Sequence, residues 1–111
     1  MNTYKFTSRY GTEYELAFEK AFYAYGGVAI EVWCSEDGFW EPYATLTKNL
    51  GDFPPIHCAY LDENNVPDLV EFVVGKDWCK QVGEGSSGYC TYPFVEFTDE
   101  FLDEICVTEE E

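Results

Sequence analysis

Val28-Ala29-Ile30-Glu31-Val32-Trp33-Cys34-Ser35-Glu36-Asp37-Gly38 is the stretch that decides the fold class. Val28, Ile30, Val32 and Cys34 alternate with Ala29, Glu31 and Trp33, a period of two that puts one set on each face of a strand. Ser35 to Gly38 then closes a hairpin, because Asp-Gly accepts the positive backbone angles of a tight turn. The returning strand runs from Glu41 to Leu50.

Upstream, Thr3 to Tyr10 reads as a first strand closed by Gly11. Tyr14, Leu16 and Phe18 alternate with Glu13, Glu15 and Glu19, which argues for a second strand, although Tyr14, Phe18 and Phe22 also fit helical spacing. Tyr25-Gly26-Gly27 is a turn. Downstream, Pro54-Pro55 breaks the meander, and Ile56 to Leu61 forms a short strand before the polar turn Asp62-Glu63-Asn64-Asn65. A helix follows, with Pro67 in its first turn, Leu69, Val70, Phe72 and Val73 as its apolar stripe, and Gly75 at its end. Gly83 to Gly88 reads as a flexible loop. Tyr89 to Phe97 reads as a strand that Pro93 confines to an edge or a bulge, and Thr98 caps a last helix. The expected fold is α+β, with an antiparallel meander sheet of about five to six strands and two short helices, the last one C-terminal and amphipathic. A single domain over 1–111 is expected, with a short acidic tail near 107–111.

Composition sets the function class. The chain has 22 acidic and 6 basic residues among 111, a formal net charge of -16. Repulsion on that scale destabilises a compact state. Disorder is not the explanation, because 46% of residues are hydrophobic and 19% aromatic. No apolar run reaches the roughly 18 residues of a membrane span, and Met1 to Lys5 lacks a signal peptide's apolar core. A cytoplasmic protein is expected. The five cysteines have no redox or zinc spacing and read as reduced thiols in or near the core.

After Lys80 no lysine or arginine follows, while nine carboxylates do. On a helical wheel Asp99, Glu100, Asp103 and Glu104 share one side, and Phe101, Leu102, Ile105 and Cys106 the other. Asp99/Asp103 and Glu100/Glu104 are repulsive i,i+4 pairs, partly offset by the positive end of the helix dipole. The helix is either a solvated face or a preformed anionic ridge, which Glu96, Glu109 and Glu110 would extend. Imitation of a nucleic acid needs such gathering: duplex DNA, a rod about 20 Å across with one charge per roughly 1.7 Å, carries about one charge per 100 Å². The aromatics Tyr23, Tyr25, Trp33, Phe39, Trp40 and Tyr43 cluster around the hairpins. Most are expected in core or cross-strand pairs, with Trp40 and Tyr43 as candidate partner-binding anchors.

Catalytic constellations are poor. Gly83-x-Gly85-x-x-Gly88 matches a dinucleotide fingerprint, but Glu84 would repel a pyrophosphate and the loop leads into a strand. His57 is the only histidine, and its neighbour Cys58 would point to the opposite face of a strand. Asp62 to Asn65 begins like a calcium loop but lacks the later glycine and glutamate. Neither catalytic residues nor a cofactor nor a metal is expected.

Tyr4-Lys5-Phe6-Thr7-Ser8-Arg9-Tyr10-Gly11-Thr12-Glu13-Tyr14-Glu15, then Val28 to Cys34 with Gly38-Phe39-Trp40-Glu41-Pro42, and Gly88-Tyr89-Cys90-Thr91-Tyr92-Pro93, resemble a family of small acidic proteins carried on bacterial plasmids, conjugative elements and phages. The resemblance covers most of the chain. It implies an α+β fold and a mobile-element setting, and brings no active-site residues. Small acidic proteins of such elements resemble inhibitors of host defence, anti-CRISPR or anti-restriction. The expected function is a non-enzymatic inhibitor that occupies the basic nucleic-acid channel of a defence nuclease, a CRISPR nuclease ahead of a restriction enzyme. The alternative is an accessory protein-binding module of a mobile element without nucleic-acid mimicry. The expected partner is a basic protein, with no direct nucleic acid and no membrane, and the chain itself a monomer or weak homodimer.

Overall fold

The computed structural model describes residues 3–22, 27–36, 38–50, 54–55 and 57–107, with the backbone alone at 22, 106 and 107. The two-residue period builds the first sheet. β3 (Val28–Ser35) buries Val28, Ile30, Val32 and Cys34, and pairs antiparallel with β2 (Glu13–Phe22), setting Leu16 opposite Cys34 and Phe18 opposite Val32. β1 (Tyr4–Thr7) and β4 (Trp40–Thr45) flank this pair in the order β1-β2-β3-β4. In the β3–β4 turn Gly38 takes φ +85° and donates its N–H to Ser35 Oγ at 3.0 Å. The second sheet has the order β5-β6-β8-β7, from β5 (Thr47–Lys48), β6 (Cys58–Leu61), β8 (Cys90–Phe97) and β7 (Cys79–Ser87).

The architecture is α+β with antiparallel sheets and two helices, but the expected single meander is replaced by two sheets. Three local causes account for the difference. Leu46 and Thr47 are buried in succession, where the chain passes from the first sheet to the second and is covered on both sides. The returning strand divides at Leu46, whose N–H donates to Ile30 O at 2.9 Å in the first sheet while its carbonyl accepts from Asp62 N–H at 2.8 Å beside the second. Gly83 to Ser87, expected as a loop, is the second half of β7. Gly85 passes so close to Tyr60 that a Cβ there would lie 2.4 Å from the ring, so glycine permits strand packing at this point. Finally, the chain leaves the helical path at Ile105 and forms β9 (Cys106–Val107), parallel to β2 with Glu19 opposite Cys106, on the edge that β1 leaves open beyond Leu16.

Pro93 does not confine its strand to an edge: β8 is an interior strand between β6 and β7, and Pro93 is accommodated beyond Phe94, the last β8 residue with a β6 partner. Asp62 to Asn65 is a turn in which both Asp62 carboxylate oxygens accept from the Asn65 amide, at 3.2 and 2.9 Å. The turn expected at Tyr25-Gly26 and the start of a strand at Ile56 lie outside the described residues.

Both helices dock through one aromatic cluster. α1 (Pro67–Gly75) buries Leu69, Val70 and Val73, and Asp77, at φ 58°, reverses the chain after it. α2 (Asp99–Glu104) starts at Thr98, whose Oγ1 accepts from Phe101 N–H at 3.1 Å. Between them Trp78 meets Tyr4 of β1 at 4.8 Å, Phe18 of β2 at 5.5 Å, Phe72 of α1 at 5.7 Å and, stacked, Phe101 of α2 at 4.7 Å. The cluster around Trp78 is an addition to the expected hairpin aromatics, of which Tyr43 is packed and Trp33 half-buried, Trp40 is 40% and Phe39 84% exposed, and Tyr23 and Tyr25 lie outside the described residues.

Phe101 is 1% exposed, and its truncation would leave a cavity under α2. Phe101→Ala is expected to destabilise the fold by about 3–5 kcal/mol in urea unfolding. A loss below about 1 kcal/mol would show that the cluster does not hold the helix.

Candidate functional site

α2 presents Asp99, Glu100, Asp103 and Glu104 to solvent and turns Phe101 and Leu102 inward. The compensating bases that the sequence lacks locally arrive from other elements. His57 Nδ1 lies 3.8 Å from Asp99, and Lys80 of β7 lies 3.8 Å from Glu96 of β8. Lys20 of β2 donates its ammonium to the Leu102 carbonyl, where the negative end of the helix dipole favours a cation. Glu104 accepts from the Tyr4 hydroxyl at 2.8 Å. Burial, then the hydrogen bond to Glu104 and its charge, push the Tyr4 hydroxyl up to about 12. Two of the four α2 carboxylates therefore have neighbours from other elements, Asp99 beside His57 and Glu104 bonded to Tyr4, and the second holds α2 to the first sheet. Exposed pairs of this kind contribute about 1 kcal/mol at most.

A second acidic surface emerges from strand register. On the outer face of the first sheet Lys5 stands opposite Glu15, Thr7 opposite Glu13, Glu19 opposite Glu31 and Ala17 opposite Trp33. Glu13, Glu15, Glu19 and Glu31 therefore share one face with the single lysine Lys5 across β1, β2 and β3. Three strands about 4.8 Å apart over about seven residues cover roughly 330 Å², or about 110 Å² per net negative charge. That density is close to the figure for duplex DNA. The sequence signal was the alternation Glu13, Glu15, Glu19 and the outward Glu31; what it lacked was the pairing register that brings them together.

The remaining candidate residues fall in two places. Trp40, 40% exposed, pairs with Ser35 in the row of Glu15, whereas α2 meets β2 at Lys20, about 17 Å further along that strand. Tyr43 is half-buried beside Tyr14 at 5.3 Å and Phe6 at 6.3 Å, a cross-strand packing position. Glu109 and Glu110 lie outside the described residues.

Groups with catalytic potential are dispersed. Cys34, Cys58, Cys79 and Cys90 are free, and burial pushes the Cys79 thiol up to about 11 and those of Cys34 and Cys58 up as well. His57 is exposed while Cys58 is buried, so the two are directed apart. Among the described residues no three His, Cys, Asp or Glu side chains converge as a metal site.

Fold and surface together define a small acidic α+β protein of two sheets. The chain belongs to the family described as a domain of unknown function (DUF4313), whose model matches residues 17–111. The match begins inside β2, so it includes Glu19, Glu31, Trp40 and α2 but leaves out β1, Glu13 and Glu15. Comparisons with curated proteins and with solved structures give no match. Among the described residues no helix is long and apolar enough to cross a membrane.

Tyr4 supplies a pH test of the α2 contact. Its hydroxyl is kept protonated in the fold, so its contribution is complete below the ordinary value of 10.0 and is lost as pH rises through about 12. The urea midpoint is expected to fall across this window, and to fall less in Tyr4→Phe. Equal falls in the two proteins would show that the Tyr4–Glu104 contact carries no linked stability.

Proposed function

We propose that this protein is a non-enzymatic inhibitor that binds the basic nucleic-acid channel of a bacterial defence nuclease, a CRISPR nuclease ahead of a restriction enzyme. One observation carries the reading: the outer face of the first sheet gathers Glu13, Glu15, Glu19 and Glu31 at nearly the charge density of a duplex. The chain as a whole exposes 6923 Å² for a charge of -16, about 430 Å² of accessible surface per charge, so charge is gathered on this face and not spread evenly. Its carboxylates stand in for phosphates against Lys and Arg of the partner. Steering by the whole anionic surface speeds encounter, and Trp33 and Trp40 provide apolar area within the contact. The mobile-element setting implied by the sequence resemblance fits an inhibitor of host defence. α2, an amphipathic helix with its own carboxylates, forms a secondary contact, weaker because Lys20 and His57 lie against it and Tyr4 engages Glu104.

The test is capture of partners from a bacterial lysate, followed by competition with duplex DNA and an assay of the captured nuclease. Added DNA is expected to displace the protein, which should itself bind neither DNA nor RNA in a gel shift, having too few bases to release counterions. Changing Glu13, Glu15, Glu19 and Glu31 to Gln should leave the fold intact and relieve the Glu19/Glu31 juxtaposition. It should slow association about tenfold at low ionic strength and flatten the salt dependence. Changing Asp99, Glu100, Asp103 and Glu104 to their amides should have the smaller effect. A partner whose binding is indifferent to DNA and to the sheet variant would favour an accessory module without mimicry.

A further inference from the structure

We propose that a notch at the turn end of the acidic sheet face is an arginine-binding site, which receives a guanidinium side chain of the basic partner; this rests on the reading above and names what the partner contributes. One row of residues crosses the sheet here: Lys5 opposite Glu15, Glu15 opposite Ser35, Ser35 opposite Trp40. Ser35 is small and buried, with its hydroxyl already accepting from Gly38 N–H. The surface therefore dips between Trp40 on one side and Glu15 with Lys5 on the other. Glu13 from the next row and Glu36 from the hairpin turn also line the depression, whose volume is about 380 Å³. That is at the small end of the roughly 300–1,000 Å³ range of ligand pockets and is ample for one long side chain.

The chemistry of the lining selects the occupant. Three carboxylates stand against one ammonium, so the notch attracts a cation and repels phosphates or acidic groups. Glu13, Glu15 and Glu36 belong to neither the Lys80–Glu96 ion pair nor the His57–Asp99 contact. Trp40 adds an indole wall, 40% exposed. A flat, weakly hydrated guanidinium can stack on indole while its fork of donors reaches carboxylates on two sides. A lysine ammonium can do the second only as a hydrated point charge. Glu13 and Glu15 belong both to the notch and to the phosphate-like face, so one arginine seated here would fix the register of the partner's other bases along the sheet.

The full chain is titrated with N-acetyl-arginine amide and separately with N-acetyl-lysine amide, following indole N–H signals by NMR, with Trp40→Phe assigning the Trp40 signal. The arginine probe is expected to shift Trp40 and to bind about threefold or more tighter than the lysine probe. Glu13→Gln with Glu36→Gln should weaken it about three- to tenfold, and Trp40→Ala about three- to fivefold. The four-amide variant of α2 should bind it as the native protein does. Equal affinity for the two probes, a silent Trp40 signal, or loss of binding in the α2 variant would each overturn the assignment. A silent Trp40 signal beside intact, DNA-competed partner association would remove the notch alone, whereas arginine binding here beside a partner indifferent to DNA would remove the inhibitor reading alone.

Discussion

Trp78 is the side chain on which the two sheets and both helices depend. It touches β1, β2, α1 and α2, and its partner Phe101 continues the contact to Phe97 of β8 at 5.5 Å. Aromatic pairs at such distances add about 0.5–1.5 kcal/mol each beyond the area they bury. The backbone uses the same junction, since Thr98 N–H donates to the Trp78 carbonyl at 2.8 Å just where α2 begins. A short helix bearing four carboxylates would be marginal alone. Here its position follows from Phe101 beneath it, Lys20 at its last turn and Tyr4 against Glu104.

This arrangement reconciles a heavily charged chain with a compact fold. The core runs through both sheets and holds Phe18, Phe101, Leu16, Ile30 and Leu46 almost entirely out of water. Charge is left to the outer face of the first sheet and to the rim around α2, and the two differ in kind. At α2 the Lys20 ammonium meets the last turn, His57 lies beside Asp99 and Tyr4 bonds Glu104, so side chains of other elements engage the helix. On the sheet only Lys5 accompanies four glutamates across three strands. Acidic composition alone would not separate these surfaces; their geometry does.

Much of this was legible in the sequence wherever the determining interaction is local. The alternation in β3, the Ser35–Gly38 turn, the apolar stripe of α1 and the Thr98 cap all involve residues within a turn or two of each other, and all are present. What escaped depends on partners distant in the chain. Trp78 stands alone between a helix and a strand, and nothing in its neighbourhood marks it as the centre of the aromatic cluster. Gly83 to Ser87 has loop chemistry, and its strand pairing follows from Tyr60 packing over Gly85. The α2 carboxylates looked isolated because their neighbours His57 and Tyr4 precede them by long stretches. For the candidate surface, the outward glutamates were visible, but their assembly into one patch required the registers of β1, β2 and β3.

The short parallel pairing of β9 with β2 bears on how the chain reaches its native state. Glu19 and Cys106 are neighbours in the sheet yet nearly a chain length apart, so this closure has high contact order and belongs among the late steps of folding. During synthesis β2 emerges long before β9, and the edge beyond Leu16 waits unpaired. An open edge of that kind invites pairing between chains. Glu13, Glu15 and Glu19 lie along the same strand, and each nascent copy repels the next before the fold is complete. Acidity along β2 thus acts as a gatekeeper against self-association while that edge stands open.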